Sequence, residues 1–270
     1  MSHPSFDLGG RIAVITGGAG LLGRRHAAAI AAAGGIPVLW DLCDLNADEI
    51  RSAYGPRARG MRVDITDPHS VERAAQELSI TFGGIDILIN NAANNPKVEQ
   101  NAPGAFSRIE HFPLTQWDAD LNVGLKGAFL CARAIGTRMA DRGAGVIVNI
   151  ASDLAVIAPD QRLYQQAGVP ADSQAVKPIT YSVVKTGLIG LTRYLATYWC
   201  DRGVRCNALS PGGIRNGQPE EFVTRVSSLI PLQRMARPDE YEGALVFLCS
   251  DASSYMTGHN LVIDGGRSCW

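Results

Sequence analysis

The sequence predicts a doubly wound α/β fold, seven parallel strands between two layers of helices, and three observations predict it. Apolar runs of strand length alternate with longer helix-periodic segments along the whole chain. A glycine-rich turn follows the first of those runs directly. The length, 270 residues, exceeds the commonest domain size but suits one α/β domain with a large core, so a single domain is expected over 1–270.

The first strand, 12–16, is apolar up to its last residue, as a strand buried on both faces must be. TGGAGLLG at 16–23 then opens a helix over 21–33. Gly18, Gly20 and Gly23 satisfy GxGxxG between a strand and a helix, where glycines let the backbone approach a pyrophosphate seated at the helix N-terminus. Strand 36–41 ends in Asp41, placed to accept hydrogen bonds from ribose hydroxyls. A carboxylate about 4 Å from a 2′-phosphate would be opposed by about 4 kcal/mol per unit charge at an effective dielectric near 20. NAD is therefore expected over NADP, although Arg24 and Arg25 would suit the latter.

Strand 60–64 ends in Asp64, read as an adenine contact, and strand 85–90, after a helix over 68–82, runs into NNAA at 90–93, with Asn90 read as cofactor support. A helix over 114–142, a strand at 146–151, a helix over 180–201, a strand at 205–210, a helix over 238–250 and a strand at 260–264 complete the alternation. Segments 153–179 and 215–235, rich in Pro, Gln and polar residues, break the rhythm at the carboxyl edge of the sheet. Open α/β sheets bind ligands at that edge, so both segments are expected to act as substrate lids.

The helix over 180–201 carries YSVVK, which sets Tyr181 and Lys185 four residues apart, on one face and one turn away. An ammonium within about 4–6 Å of a phenol favours the phenolate, lowering its usual pKa of about 10 by roughly 1–3 units. Such a pair makes a general acid or base at neutral pH.

With a net charge of −1 and 19% charged residues, the chain shows no electrostatic footprint for nucleic acid or an anionic membrane, and the expected partner is a small molecule. Cys43, Cys131, Cys200, Cys206, Cys249 and Cys269 form no CxxC pair and read as reduced thiols. The longest apolar stretch, 27–40, is too short for a membrane span and is broken by Gly34, Gly35 and Pro37. MSHPSFDLGG lacks the basic and apolar regions of a signal peptide, so the expected location is the cytoplasm. No nucleophile elbow and no metal-ligand cluster appear, and no metal is expected.

Taken in order, TGGAGLLG, Asp64, NNAA, LNVGLKG around Asn122, NIAS ending in Ser152, YSVVK, SPGGI at 210–214 and VIDGG resemble the short-chain dehydrogenase/reductase family, most closely its classical branch. The resemblance implies a Rossmann-like fold, a nicotinamide cofactor, an alcohol or ketone substrate and a homodimer or homotetramer. It implies Tyr181 as acid/base and Lys185 as the residue that lowers its pKa and binds the nicotinamide ribose. Ser152 would hydrogen-bond the substrate oxygen, and Asn122 would hold a water linking Lys185 to solvent. Cofactor contacts are implied for Gly17, Gly18, Gly20, Leu21, Leu22 and Gly23 in the first turn. Asp41, Leu42, Asp64 and Ile65 would follow at the next two strand ends. Asn91, Ala92 and Ala93, the Tyr181 and Lys185 pair, and Pro211, Gly212, Gly213 and Ile214 complete that set.

The chain departs from the family pattern in four places. Leu21 stands at the usual middle glycine, a form that looks more like the extended epimerase branch. Ala93 ends NNAA where the family has glycine, and Asn216 replaces a threonine after the PG turn. Ser152 and Tyr181 are 29 positions apart (181 − 152), more than twice the family's usual separation. The added residues include Asp153, Asp160, Gln161, Arg162, Tyr164, Gln165 and Gln166, a polar set that suits a hydroxylated substrate. With SPGGIRNGQPEEF they resemble a subgroup found with flagellin-modifying and sialic-acid-like sugar biosynthesis. Arg162, Arg215 and Arg225 would serve an anionic substrate. An NAD-dependent sugar epimerase or dehydratase and a nucleotide-sensing protein without turnover are the alternative readings.

Overall fold

Seven strands form one parallel sheet: β1 (Ile12–Thr16), β2 (Ile36–Asp41), β3 (Arg59–Arg62), β4 (Ile87–Asn90), β5 (Gly145–Ile150), β6 (Val204–Pro211) and β7 (Asn260–Ile263). The structure is a computed structural model and describes residues 4–94 and 107–270. Across the sheet the order is β3-β2-β1-β4-β5-β6-β7. Chain order therefore reverses between β1 and β4, and the crevice for a ligand opens at that switch point.

Alternate residues of each strand serve opposite faces of the sheet. Val14, Val38, Trp40 and Leu88 pack on one face with Val71 and Leu78 of α3 (Pro68–Phe82) and with Ile135 and Met139. Ile15, Leu39, Ile87 and Ile89 pack on the other with Ile30 of α1 (Leu21–Ala32) and Leu245 of α9 (Glu242–Cys249). Each such side chain, fully buried, contributes about 1.5–3 kcal/mol.

The helix expected over 114–142 is continuous, but it is not uniform. α4 (Leu114–Leu121), α5 (Ala128–Cys131) and α6 (Thr137–Arg142) are joined by π-helical turns at Asn122–Gly127 and Ala132–Gly136. Each π turn holds more residues than an α turn, so it rotates everything beyond it relative to a plain α-helix. α7 (Ile179–Tyr198) carries YSVVK.

Three local differences from the expected elements have plain causes. β3 ends at Arg62, not at 64, because Asp64 closes its own turn: the Thr66 amide and hydroxyl donate to Asp64 Oδ1 at 2.8 and 2.7 Å. A short helix, α2 (Ala47–Tyr54), was not expected; Asn46 Oδ1 caps it from the Asp48 and Glu49 amides, and Ile50 is its one buried side chain. The segment 215–235 holds α8 (Glu220–Ser227) rather than loop alone.

Segment 153–179 is a chain of 3₁₀ turns, Asp153–Ala155, Gln161–Tyr164 and Ala171–Ser173. Gln174 staples it, accepting from the Gln166 amide at 2.8 Å and donating to the Gln166 and Val169 carbonyls at 2.9 and 2.7 Å. It packs on the second segment: Leu163 is buried with Val223, Val226, Ile230 and Met235, and the Tyr164 and Phe222 rings stand 5.8 Å apart. No helix among the described residues is long and apolar enough to cross a membrane.

Candidate active site

At the carboxyl edge of the sheet lies a cleft of about 650 Å³, a size that suits a cofactor and a small substrate together. Its first end is made of backbone. Gly17 has a φ of +64°, and a Cβ there would stand 2.9 Å from the Ala92 Cα. Gly18 lies against Leu39 and Gly23 against the Gly17 carbonyl, with no room for a side chain on either. Asn91 Nδ2 donates to the Thr16 and Gly17 carbonyls at 2.9 and 3.2 Å, while Thr16 Oγ1 accepts from the Asn91 and Ala92 amides at 3.0 and 3.1 Å. NNAA thus pins the turn across the switch point. Gly20 begins α1 with no side-chain cap, leaving the first amides of the helix for an anion.

Gly17, Gly20, Leu21 and Leu22 line the cleft, as do Asp41, Leu42, Asp64, Ile65, Asn91, Ala92 and Ala93, and on the far wall Pro211, Gly212, Gly213 and Ile214. Gly18 and Gly23 are not among the lining residues; close packing beneath the turn explains their glycines. Asn90 does not line the cleft: it is buried and donates to Asn149 Oδ1 at 2.8 Å, a contact inside the sheet. Asp41 stands at the end of β2 with Oδ2 accepting from the Ala19 amide at 2.9 Å, so the glycine turn holds the carboxylate in place. A pyrophosphate on the bare helix start and a ribose beside Asp41 fit these residues.

At the other end Tyr181 Oη donates to Ser152 Oγ at 3.4 Å. Ser152 Oγ donates in turn to Asp153 Oδ1 at 2.9 Å, and Arg267 Nη1 donates to Asp153 Oδ2 at 2.9 Å, a buried pair with 9% and 4% of the side chains exposed. The Lys185 ammonium is buried and donates to the Ile150 carbonyl at 2.7 Å, 5.8 Å from the Tyr181 ring centre. The Lys177 ammonium is nearer that ring, 3.8 Å from its centre.

The charge balance here differs from the expectation. Burial holds the Tyr181 phenol above its ordinary range, with the Asp153 carboxylate adding to the rise and the Ser152 hydrogen bond opposing it. Burial, with the charge of Lys177 behind it, brings Lys185 down to about 8. Lys185 therefore does not lower the phenol in this state, because its ammonium is turned to a backbone carbonyl and is itself short of solvation.

Asn122 is placed away from the cleft lining. It is exposed at the start of the first π turn and lines neither this cleft nor the small cavity behind Lys185. Two residues on, Gly124 is buried where an added Cβ would run into Val184. The three arginines expected to meet an anion are turned to protein groups: Arg162 to Asp160, Arg215 to Glu220, and Arg225 to the Gln165 carbonyl. None of the three lines the cleft. Lys177 and Arg267 do, and the sequence reading passed over both.

Comparison with known proteins agrees with this geometry. A family model described as enoyl-(acyl carrier protein) reductase matches residues 18–268. A D-threitol dehydrogenase of Mycolicibacterium smegmatis is 36% identical over 97% of this chain and 94% of its own. The chain belongs to the short-chain dehydrogenase/reductase family. Two solved structures are similar to this short-chain dehydrogenase/reductase throughout. One, a short-chain dehydrogenase of Leptospira borgpetersenii with bound NAD+, superposes with a TM-score of 0.86 at 28% identity, covering 99% of this chain and 96% of the other. The other, a gluconate 5-dehydrogenase of Burkholderia cenocepacia in complex with NADP and tartrate, gives 0.82 at 28% identity, covering 98% of each. As a short-chain dehydrogenase/reductase the protein is an oxidoreductase that uses a nicotinamide cofactor. The flagellin and sialic-acid subgroup is not what these relatives represent.

Proposed function

We propose that the protein interconverts a secondary alcohol of a polyhydroxylated substrate and its ketone, with NAD as the hydride carrier. The observation that carries this reading is the Tyr181–Ser152 contact at the polar end of a cleft whose other end is a bare glycine turn. In the oxidation direction Ser152 Oγ holds the substrate oxygen and Tyr181 Oη takes its proton. A bound nicotinamide would supply the hydride acceptor. Lys185 would bind the nicotinamide ribose, and its ammonium, brought nearer to Tyr181 Oη, would favour the phenolate. Asp153, neutralised by Arg267, orients the Ser152 hydroxyl.

Asp41 supports NAD: its carboxylate, held at the end of β2 by the Ala19 amide, would oppose a nearby 2′-phosphate. Segments 153–179 and 215–235 act as substrate lids, supported by the polar groups they bring to the cleft, Asp160, Lys177, Asn216 and Gln218 among them. Exposed Phe129, Tyr194 and Tyr198 support a homodimer or homotetramer. Six free cysteines support a cytoplasmic location.

The test is NAD and NADP reduction with glycerol, D-threitol, gluconate, sialic-acid-like sugar derivatives and a steroid alcohol. Net NADH formation with a polyol or sugar supports the reading. Activity on the steroid alone overturns the polar pocket, and substrate conversion with no net NADH favours an epimerase or dehydratase.

A further inference from the structure

Cations outnumber carboxylates at the substrate end of the cleft, where Lys177, Lys185 and Arg267 stand against Asp153 and Asp160. Both carboxylates are already committed to arginines, Asp153 to Arg267 at 2.9 Å and Asp160 to Arg162 at 2.7 Å. Lys185 is turned to the Ile150 carbonyl, and the ammonium nearer the Tyr181 ring is that of Lys177, 3.8 Å from its centre.

The local chain fixes this lysine. Pro178 follows it and caps α7, which keeps Lys177 outside the helix. The Lys177 amide donates to Gln161 Oε1 at 2.8 Å, and Gln161 opens the 3₁₀ turn that ends in Tyr164. One side chain thus ties Lys177 to the turn that carries Tyr164, whose ring rests on Phe222. Burial pushes the Tyr164 phenol up to about 12, with Arg267, Tyr181 and Asp153 close enough to act on it, so it is a neutral donor at pH 7. Burial brings Lys177 down to about 8, with Asp153 opposing. An ammonium short of solvation gains more from an anion than one in open water does. A carboxylate has two oxygens, and an ammonium and a phenol around Tyr181 can donate one bond to each.

We infer that Lys177, with Tyr164 beside it, holds a carboxylate of the substrate, so that the preferred substrate is a polyhydroxylated acid rather than the neutral polyol. The reacting carbon then lies at Ser152 and Tyr181, a short chain away from the carboxylate, because the Lys177 ammonium sits against the ring that bears the reacting phenol. Lys177 is in this way a specificity-determining residue. The inference rests on the alcohol oxidation proposed above and deepens it by naming the substrate class.

Matched pairs test it: D-gluconate against D-glucitol and D-threonate against D-threitol, each acid carrying a carboxylate where its polyol has a terminal hydroxymethyl group. The kcat/KM of each acid should exceed that of its polyol roughly tenfold or more, carried by KM. Lys177→Met keeps the stem and removes the charge, and the ratio of acid to polyol should fall at least roughly tenfold, with Lys177→Arg restoring most of it. Tyr164→Phe should lower the ratio roughly threefold. A polyol preferred over its acid, or a ratio that Lys177→Met leaves unchanged, overturns the inference and leaves the alcohol oxidation standing. D-glucitol 6-phosphate preferred over D-gluconate also overturns it, since the lysine then serves a phosphate. Calorimetry of D-gluconate binding to the protein with NADH decides the matter without turnover. Its Kd should rise roughly tenfold or more in Lys177→Met while the Kd for NADH stays within about threefold. Absent or unmoved gluconate binding overturns the inference. Gluconate binding that depends on Lys177, with no net NADH from any acid or polyol, supports the carboxylate site and sinks the alcohol oxidation instead.

Discussion

At its proposed cofactor end the cleft is walled by backbone, and at its proposed substrate end by side chains that three separate segments bring in. Gly17, Gly20 and the Gly212–Gly213 pair line the first end, and Asn91 and Thr16 lock the turn to the sheet. Lys177, Tyr164, Phe222 and Arg267 line the second, coming from 153–179, from α8 and from the last strand's exit. A backbone wall presents amides and close approach, which recognise a phosphate whatever the side chains are. A wall of side chains recognises shape and polarity, and it changes with any substitution. The cofactor end therefore speaks for a family, and the substrate end for this chain.

The contrast can be broken most sharply between the two ends, at Tyr181. Tyr181→Phe should lower kcat by about 10²–10⁴-fold while NAD affinity, read by fluorescence titration, stays within a factor of about three. A matching loss of NAD binding would show the ends to be one unit. Gly18→Val should do the reverse: its side chain has to displace Leu39, so NAD binding should be lost in the same titration. Asp41→Asn should raise the ratio of NADP to NAD turnover at least roughly tenfold, because the opposed 2′-phosphate charge is removed. An unchanged ratio would move cofactor choice elsewhere.

Leu163→Ala tests the substrate end alone. It removes the side chain by which one segment packs on the other, and should lower stability by about 2 kcal/mol and raise the substrate KM, with the KM for NAD unmoved. The smallest effect is a pH dependence. Lys185 has its pKa brought from 10.5 to about 8 by burial, so between those values the unfolded chain binds more protons than the folded one. Stability from this group is therefore fully present above pH 10.5 and is lost as pH falls through 8. Urea unfolding of Lys185→Met should show a flatter rise from pH 8 to 10 than the natural sequence, and equal slopes would contradict the buried ammonium.

The sheet and the glycine turn were legible because their signals are local. IAVIT followed by TGGAGLLG states a buried strand and a tight turn within twelve residues, and Asp41 and Asn91 sit at strand ends that the apolar runs mark. Lys177 and Arg267 were not legible, because what gives them meaning is distance in space: Arg267 meets Asp153 across 114 positions. Asn122 is harder to read. Its place in a helical pattern is plain, but the π turns that set its direction leave no mark in an apolar period, and the outward side of the helix is where it falls.

The Arg267–Asp153 pair carries a practical warning for anyone handling this protein. The residues after β7 hold one 3₁₀ turn, Arg267–Cys269, and a stretch so short invites editing. Here that stretch reaches under Ser152, so an edit intended to be silent would register as altered alcohol affinity, and a weak preparation could be mistaken for a poor catalyst.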